Sequence, residues 1–167
     1  MVSAHLLYRA TTMSPLHAPP PINPPEEAPP AWALPQLCGP GGRRWRALLA
    51  DDNAINREVG VAMLEGLGLC VDTACDGDVA VQMAETGHFD LVLMDLQMPR
   101  LDGLTATRQL RALPAGAQLP VIAMTASTFA QDLVACQAAG MNDFVAKPVD
   151  IRSLAAVLAR WLPPPAA

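Results

Sequence analysis

Leu91-Val-Leu-Met-Asp95 is a run of four apolar residues closed by a carboxylate. A run of this length with no polar residue inside it reads as a central parallel strand covered on both faces, because a strand with one wet face alternates. Ala47-Leu-Leu-Ala50 and Val121-Ile-Ala-Met124 have the same character, and Leu69-Cys-Val-Asp-Thr-Ala74 and Asp143-Phe-Val-Ala146 are also of strand length. Amphipathic stretches lie between them. In the first, Ile55, Val59, Met63 and Leu67 recur every four residues behind the possible caps Asp52 and Asn53, and Gly66 and Gly68 stop it. Further helices are predicted at about 77–86, 103–113, 128–139 and 150–162, with Asp76, Asp102, Thr128 and Asp150 at their N-terminal cap positions. Five strands alternating with five helices predict an α/β fold with a doubly wound, five-stranded parallel sheet. Ligands of such sheets bind outside the carboxyl ends of the strands.

Proline placement limits how far this domain extends. Of 17 prolines, ten precede Arg43, three lie in the last five residues, and only Pro99, Pro114, Pro120 and Pro148 fall between Arg46 and Leu162. Residues 1–44, with the run His17-Ala-Pro-Pro-Pro-Ile-Asn-Pro-Pro-Glu-Glu-Ala-Pro-Pro, are expected to be a disordered leader or linker, and residues 163–167 a disordered tail. That leaves 45–162 as the folded domain. Residues 46–162 carry eight basic against fourteen acidic side chains, a net charge of −6, so direct binding to a nucleic-acid backbone is not expected. Lys147 is the only lysine beside ten arginines.

The four cysteines form no CxxC pair and have no histidine at zinc-ligand spacing, so they are expected to be free thiols in a reducing compartment. No apolar run reaches the ~20 residues of a membrane-spanning helix. The N-terminus lacks the apolar core of a signal peptide, which makes the cytoplasm the expected location.

The strand ends carry the chemistry. Asp51 and Asp52 follow the first strand, Asp95 ends the third, Thr125 the fourth, and Lys147-Pro148 the fifth. Three carboxylates at one rim repel one another unless a cation joins them, and an open rim of oxygen ligands suits Mg2+. Thr125 and Lys147 are then donors aimed at the same spot, as a transferring phosphoryl group requires. Each piece alone has a plainer reading. Asp51-Asp52 suits helix capping, Asp95 and Thr125 suit strand ends, and Lys147 suits a solvated charge. Their joint occurrence, in order, at one end of successive strands favours phosphoryl chemistry on a carboxylate.

Residues 46–162 resemble the receiver domain of two-component response regulators. The resemblance rests on Leu48-Leu-Ala-Asp-Asp-Asn-Ala-Ile-Asn-Arg57, Leu93-Met-Asp-Leu-Gln-Met-Pro-Arg-Leu-Asp-Gly-Leu104, Ile122-Ala-Met-Thr-Ala-Ser127 and Asp143-Phe-Val-Ala-Lys-Pro-Val-Asp150. In wording these are most similar to receivers at the C-terminal end of hybrid sensor histidine kinases. The resemblance implies a flavodoxin-like fold with strand order 2-1-3-4-5. It makes Asp95 the phosphoacceptor, taking its phosphoryl group from the phosphohistidine of a histidine kinase or His-containing phosphotransfer protein. Asp52, Asp95 and the Gln97 carbonyl would hold Mg2+ directly, and Asp51 would act through a metal-bound water. Lys147 would pair with Asp95 before transfer and with a phosphoryl oxygen after it, with Thr125 as the other donor. The shift would propagate to Phe144 and the face built from helix four, strand five and helix five; alternatively Phe144 is simply a buried core ring. Gln97 and Ser127 would tune dephosphorylation, and the Lys147-Pro148 bond would be cis.

Such a domain phosphorylates and dephosphorylates itself rather than turning over substrate. Two other classes compete with it. A phosphohydrolase of the haloacid dehalogenase type needs an acid two residues after the nucleophile, where Gln97 stands. A receiver-like binding module that signals without phosphate is the second. No effector motif follows Leu162 and no kinase domain fits before Arg46, so a single-domain regulator or the receiver end of a hybrid kinase is expected, and the Pro-rich leader favours the latter.

Overall fold

The computed structural model describes residues 34–163. Its strands are β1 (Arg46–Ala50), β2 (Cys70–Ala74), β3 (Leu91–Asp95), β4 (Val121–Thr125) and β5 (Asp143–Ala146). Its helices are α1 (Ala54–Gly66), α2 (Gly77–Thr86), α3 (Gly103–Ala112), α4 (Ala130–Ala139) and α5 (Ile151–Trp161). All four strand pairings are parallel and the order is β2-β1-β3-β4-β5, as the alternating pattern and the resemblance predict.

Two cores account for the continuously apolar strands. Leu49, Leu93 and Ile122 pack on one face with Leu64 of α1 and Leu154 and Leu158 of α5. Leu48, Val92, Met94 and Ala123 pack on the other with Ala80 of α2 and Ala106 and Leu110 of α3. Neighbouring residues along one strand enter opposite cores, and each fully buried leucine contributes about 1.5–3 kcal/mol. Neither face can take a polar residue without breaking that packing.

The helix starts follow side-chain capping, with one exception. Asn53 accepts from the main-chain N–H groups of Ile55 and Asn56, while Asp76, Asp102 and Asp150 cap α2, α3 and α5. The expected cap at Thr128 does not form. α4 begins only at Ala130, so the cap position falls on Phe129, whose side chain cannot accept a hydrogen bond, and Thr128 lies one residue too early; the nearby Ser127 hydroxyl bonds Asp132 in the first turn. The four-residue stripe on α1 is also only half buried. Ile55 is 70% exposed and Val59 49%, whereas Leu67 is buried. A step of four residues turns through about 400°, so the stripe rotates from solvent to core along the helix.

Residues 34–44, expected to belong to the disordered leader, are instead folded onto the N-terminal edge of the sheet. Leu37 N–H donates to Leu67 O at 2.8 Å, Gln36 Nε2 to Gly66 O at 2.9 Å, and Cys38 bridges Arg44. Leu34 and Leu37 pack against the first core beside Trp45. Few apolar side chains suffice here because the main chain finds partners at the end of α1. The remainder of the leader and residues 164–167 of the tail lie outside the described residues. Among the described residues no helix is long and apolar enough to cross a membrane, and Cys38, Cys70, Cys75 and Cys136 are unpaired.

Candidate functional site

The C-terminal strand ends bring together groups far apart in sequence. Asp51 follows β1, its N–H held by Ala74 O at 3.2 Å; Lys147 follows β5, its N–H held by Thr125 O at 2.7 Å. Asp95 is the last residue of β3. α3 starts hard against this point: a Cβ on Gly103 would lie 2.2 Å from Asp95 O, so only glycine allows the approach.

Carboxylate oxygens of Asp51, Asp52 and Asp95 lie within 4.8 Å of one another. One ammonium serves the two buried acids: Lys147 Nζ is 3.0 Å from Asp51 Oδ2 and 3.1 Å from Asp95 Oδ1. Asp51 is 2% exposed and Asp95 5%, while Asp52 is exposed. Burial pushes the Asp95 carboxyl above the usual aspartate range and the Asp51 charge adds to this, against the Lys147 and Gln97 hydrogen bonds. Burial pulls the Lys147 ammonium down, but its bonds to Asp51 and Asp95 outweigh that and leave it raised.

Gln97 donates its main-chain N–H to Asp95 Oδ1 at 3.2 Å. A cleft of about 810 Å3 opens over Asp52, Asp95, Gln97, Thr125, Ser127 and Lys147. Three acids and one ammonium leave net negative charge on oxygen donors alone, a set that fits a hard divalent cation such as Mg2+.

Some side chains point to other partners. The Thr125 hydroxyl donates to Ser127 O at 2.8 Å and accepts from Ser127 N–H at 3.0 Å, so it is engaged with the β4–α4 loop. Lys147 pairs with Asp51 as well as Asp95, where the sequence alone suggests Asp95. Phe144 is not a buried core ring; it is 36% exposed beside a hollow lined by Leu133, Cys136 and Met141. The Lys147-Pro148 bond is cis.

Three residues that the sequence does not link to the acidic cluster support the acids. Asn53 N–H donates to Asp51 Oδ1 at 2.9 Å. The Arg57 guanidinium holds the Asp51 and Asp52 carbonyls at 2.8 and 3.1 Å, and Asn56 Nδ2 lies 3.4 Å from both Asp51 oxygens. Their one sequence signal is position: polar residues in the first turn after an acidic pair face back toward it.

Comparison with known proteins agrees with this architecture. The profile of the response regulator receiver domain matches residues 47–159. The sensor protein GacS of Pseudomonas syringae pv. syringae is 39% identical over 119 residues, covering 70% of this chain and 13% of that protein. The receiver domain of the sensor histidine kinase PA1611 from Pseudomonas aeruginosa PAO1, solved with a magnesium ion coordinated in its active-site cleft, is 43% identical. It has a TM-score of 0.67 over 71% of this chain and 98% of that one. The receiver of Saccharomyces cerevisiae Ssk1, solved with the histidine phosphotransfer protein Ypd1, is 27% identical with a TM-score of 0.66, over 71% and 89% of the two chains. The chain spans about one-sixth or less of the length of the curated relatives it matches. By the profile match across its sheet and helices, the chain belongs to the response regulator receiver domain family of two-component signalling.

Proposed function

We propose that this domain accepts a phosphoryl group from a phosphohistidine onto Asp95 in a Mg2+-dependent phosphorelay. The observation that carries the reading is the sharing of one ammonium by two buried carboxylates, with a third carboxylate within 4.8 Å and a hydroxyl at the next strand end. In this reading Asp52, Asp95 and the Gln97 carbonyl would hold Mg2+, and Asp51 would orient one of its waters. When bound, Mg2+ offsets the negative charge on the acids and the phosphoryl oxygens.

Asp95 supplies the nucleophile. One of its carboxylate oxygens forms a bond to phosphorus as the phosphorus–nitrogen bond of the phosphohistidine breaks, and the electron pair leaves with the imidazole nitrogen, which takes a proton. Lys147 moves from Asp95 Oδ1 to a phosphoryl oxygen. A compact ammonium can follow that oxygen, whereas a planar guanidinium requires a bidentate partner. Thr125 gives up Ser127 O to donate to another phosphoryl oxygen, which loosens the loop before α4 and lets Phe144 turn into the face of α4, β5 and α5. Gln97 and Ser127 at the rim tune the entry of hydrolytic water.

The donor is a histidine kinase or His-containing phosphotransfer protein, a reading supported by the likeness to sensor kinases and to the Ssk1 receiver. The domain acts in the cytoplasm, as a single-domain regulator or as part of a hybrid kinase. A hydrolase of the haloacid dehalogenase type is disfavoured, because Gln97 has no acid to give. Incubation with acetyl phosphate and Mg2+, followed by intact mass measurement, is expected to add one phosphoryl group to the parent chain and none to Asp95→Asn. Equal uptake by the variant would remove Asp95 from this role.

A further inference from the structure

Asp51 has three donors, and the proposed reaction treats them differently. The Asn53 N–H is fixed by the start of α1 at 2.9 Å. Lys147 Nζ, at 3.0 Å, is shared with Asp95 and departs for a phosphoryl oxygen in the reading above, on which this inference rests. Asn56 Nδ2 stands off at 3.4 Å from both carboxylate oxygens.

As Lys147 is drawn toward the phosphoryl group, a carboxylate that is 2% exposed keeps one firm donor from the protein, beside the metal-bound water it would orient. A buried carboxylate that loses a donor turns or draws in water, either of which would disturb a metal-bound water held by Asp51. The cavity behind it, about 430 Å3, is walled by Leu49, Val59, Leu64 and Leu154 and offers no replacement. Among the described residues, Asn56 is, besides Lys147, the one side chain lining both this cavity and the cleft that can donate a hydrogen bond.

We propose that Asn56 is a positioning residue whose amide holds Asp51 in place while Lys147 is engaged with the phosphoryl group. The long contact is a reserve: half an ångström of movement makes it an ordinary hydrogen bond. A neutral amide suits the position because a cation there would compete with Mg2+ for the same three carboxylates.

The test is calorimetric titration of Mg2+ into the chain with and without beryllofluoride, a phosphoryl mimic. Asn56→Leu keeps the shape and removes the donor; Asn56→Ala removes it without adding apolar volume; Asn56→Gln keeps the amide. Asn56→Leu and Asn56→Ala are expected to change Mg2+ affinity by no more than about twofold without beryllofluoride and to weaken it about five- to tenfold with it. Asn56→Gln is expected to recover most of the loss. Weakening that is equal in both conditions, or absent from both, overturns the inference. A parent chain that fails to bind beryllofluoride, or Asp95→Asn that still takes up phosphate, overturns the underlying phosphoacceptor reading instead.

Discussion

The two ends of the same sheet handle charge in opposite ways. At the N-terminal edge the charges around β1, β2 and β3 have fixed counterparts. Arg43 forks onto Asp90 at 2.7 and 3.1 Å, Arg44 holds the Gly68 and Leu69 carbonyls, and Arg46 meets Asp72 at 2.6 Å. Trp45 is buried at that edge in the core against which Leu34 and Leu37 pack. At the C-terminal edge three carboxylates share one ammonium. The charges of the first arrangement find their partners within the chain itself. The second is short of positive charge, which suits it to a divalent cation and, in the function proposed above, to a phosphoryl group whose charge that cation would offset.

The contrast can be broken most forcefully at the closed edge. Trp45→Ala is expected to lower unfolding free energy by about 3–5 kcal/mol, read by urea titration, while the folded variant keeps the parent affinity for Mg2+. A matching loss of Mg2+ affinity would mean that the two ends are not independent.

At the open edge, Lys147→Arg keeps the charge and changes its shape. The initial rate of phosphoryl uptake from acetyl phosphate is expected to fall about a hundredfold, since one nitrogen now lies 3.0 and 3.1 Å from two different carboxylates. A rate within about twofold of the parent would show that charge alone suffices.

Acidity tests the same edge more gently. The raised Asp95 carboxyl binds its proton more tightly in the folded chain than in the unfolded one. Its contribution to metal-free stability is therefore present at low pH and lost as pH rises from the usual aspartate range through the raised value. Mg2+ needs the ionised form, so its affinity should drop as pH falls, beginning above the usual aspartate value and approaching about tenfold per pH unit. Titrations along a pH series check this; affinity that holds until the ordinary aspartate range would place Asp95 outside the metal site.

The smallest expected effect is a difference of sign. In the metal-free chain Asp52→Asn relieves repulsion and should raise stability by about 0.5 kcal/mol, whereas Asp72→Asn loses an exposed pair with Arg46 and should lower it by about as much. Thermal unfolding of both variants side by side resolves this, and the same sign for both would undo the contrast between the edges.

How much of this was legible beforehand depends on distance along the chain. Strand and helix positions follow local periodicity, and the caps at Asn53, Asp76, Asp102 and Asp150 follow residue type at a helix start. Thr128 is not the cap because α4 starts only at Ala130, which puts Phe129 at the cap position. The ordered stretch 34–44 was hidden because its partners, at Gly66, Leu67 and Asp90, lie beyond any local window. Arg111 was equally silent, yet its guanidinium binds the Gly116, Leu119 and Gly140 carbonyls and the Asn142 side chain, joining α3 to the segments that lead into β4 and β5.

The sequence by itself determined the alternation of strands and helices, the burial of both sheet faces, and which residues end the strands, because each of these is set by neighbours a few positions away. It also named the acids, the hydroxyl and the lysine. Only the tertiary structure decided how they are shared: Lys147 reaches Asp51 across 96 residues, Thr125 is engaged with Ser127, and Asn56 waits beside a carboxylate. Residue types state which charges exist, but the balance among charges that meet from separate strands is fixed by the folded geometry that brings them within a few ångströms.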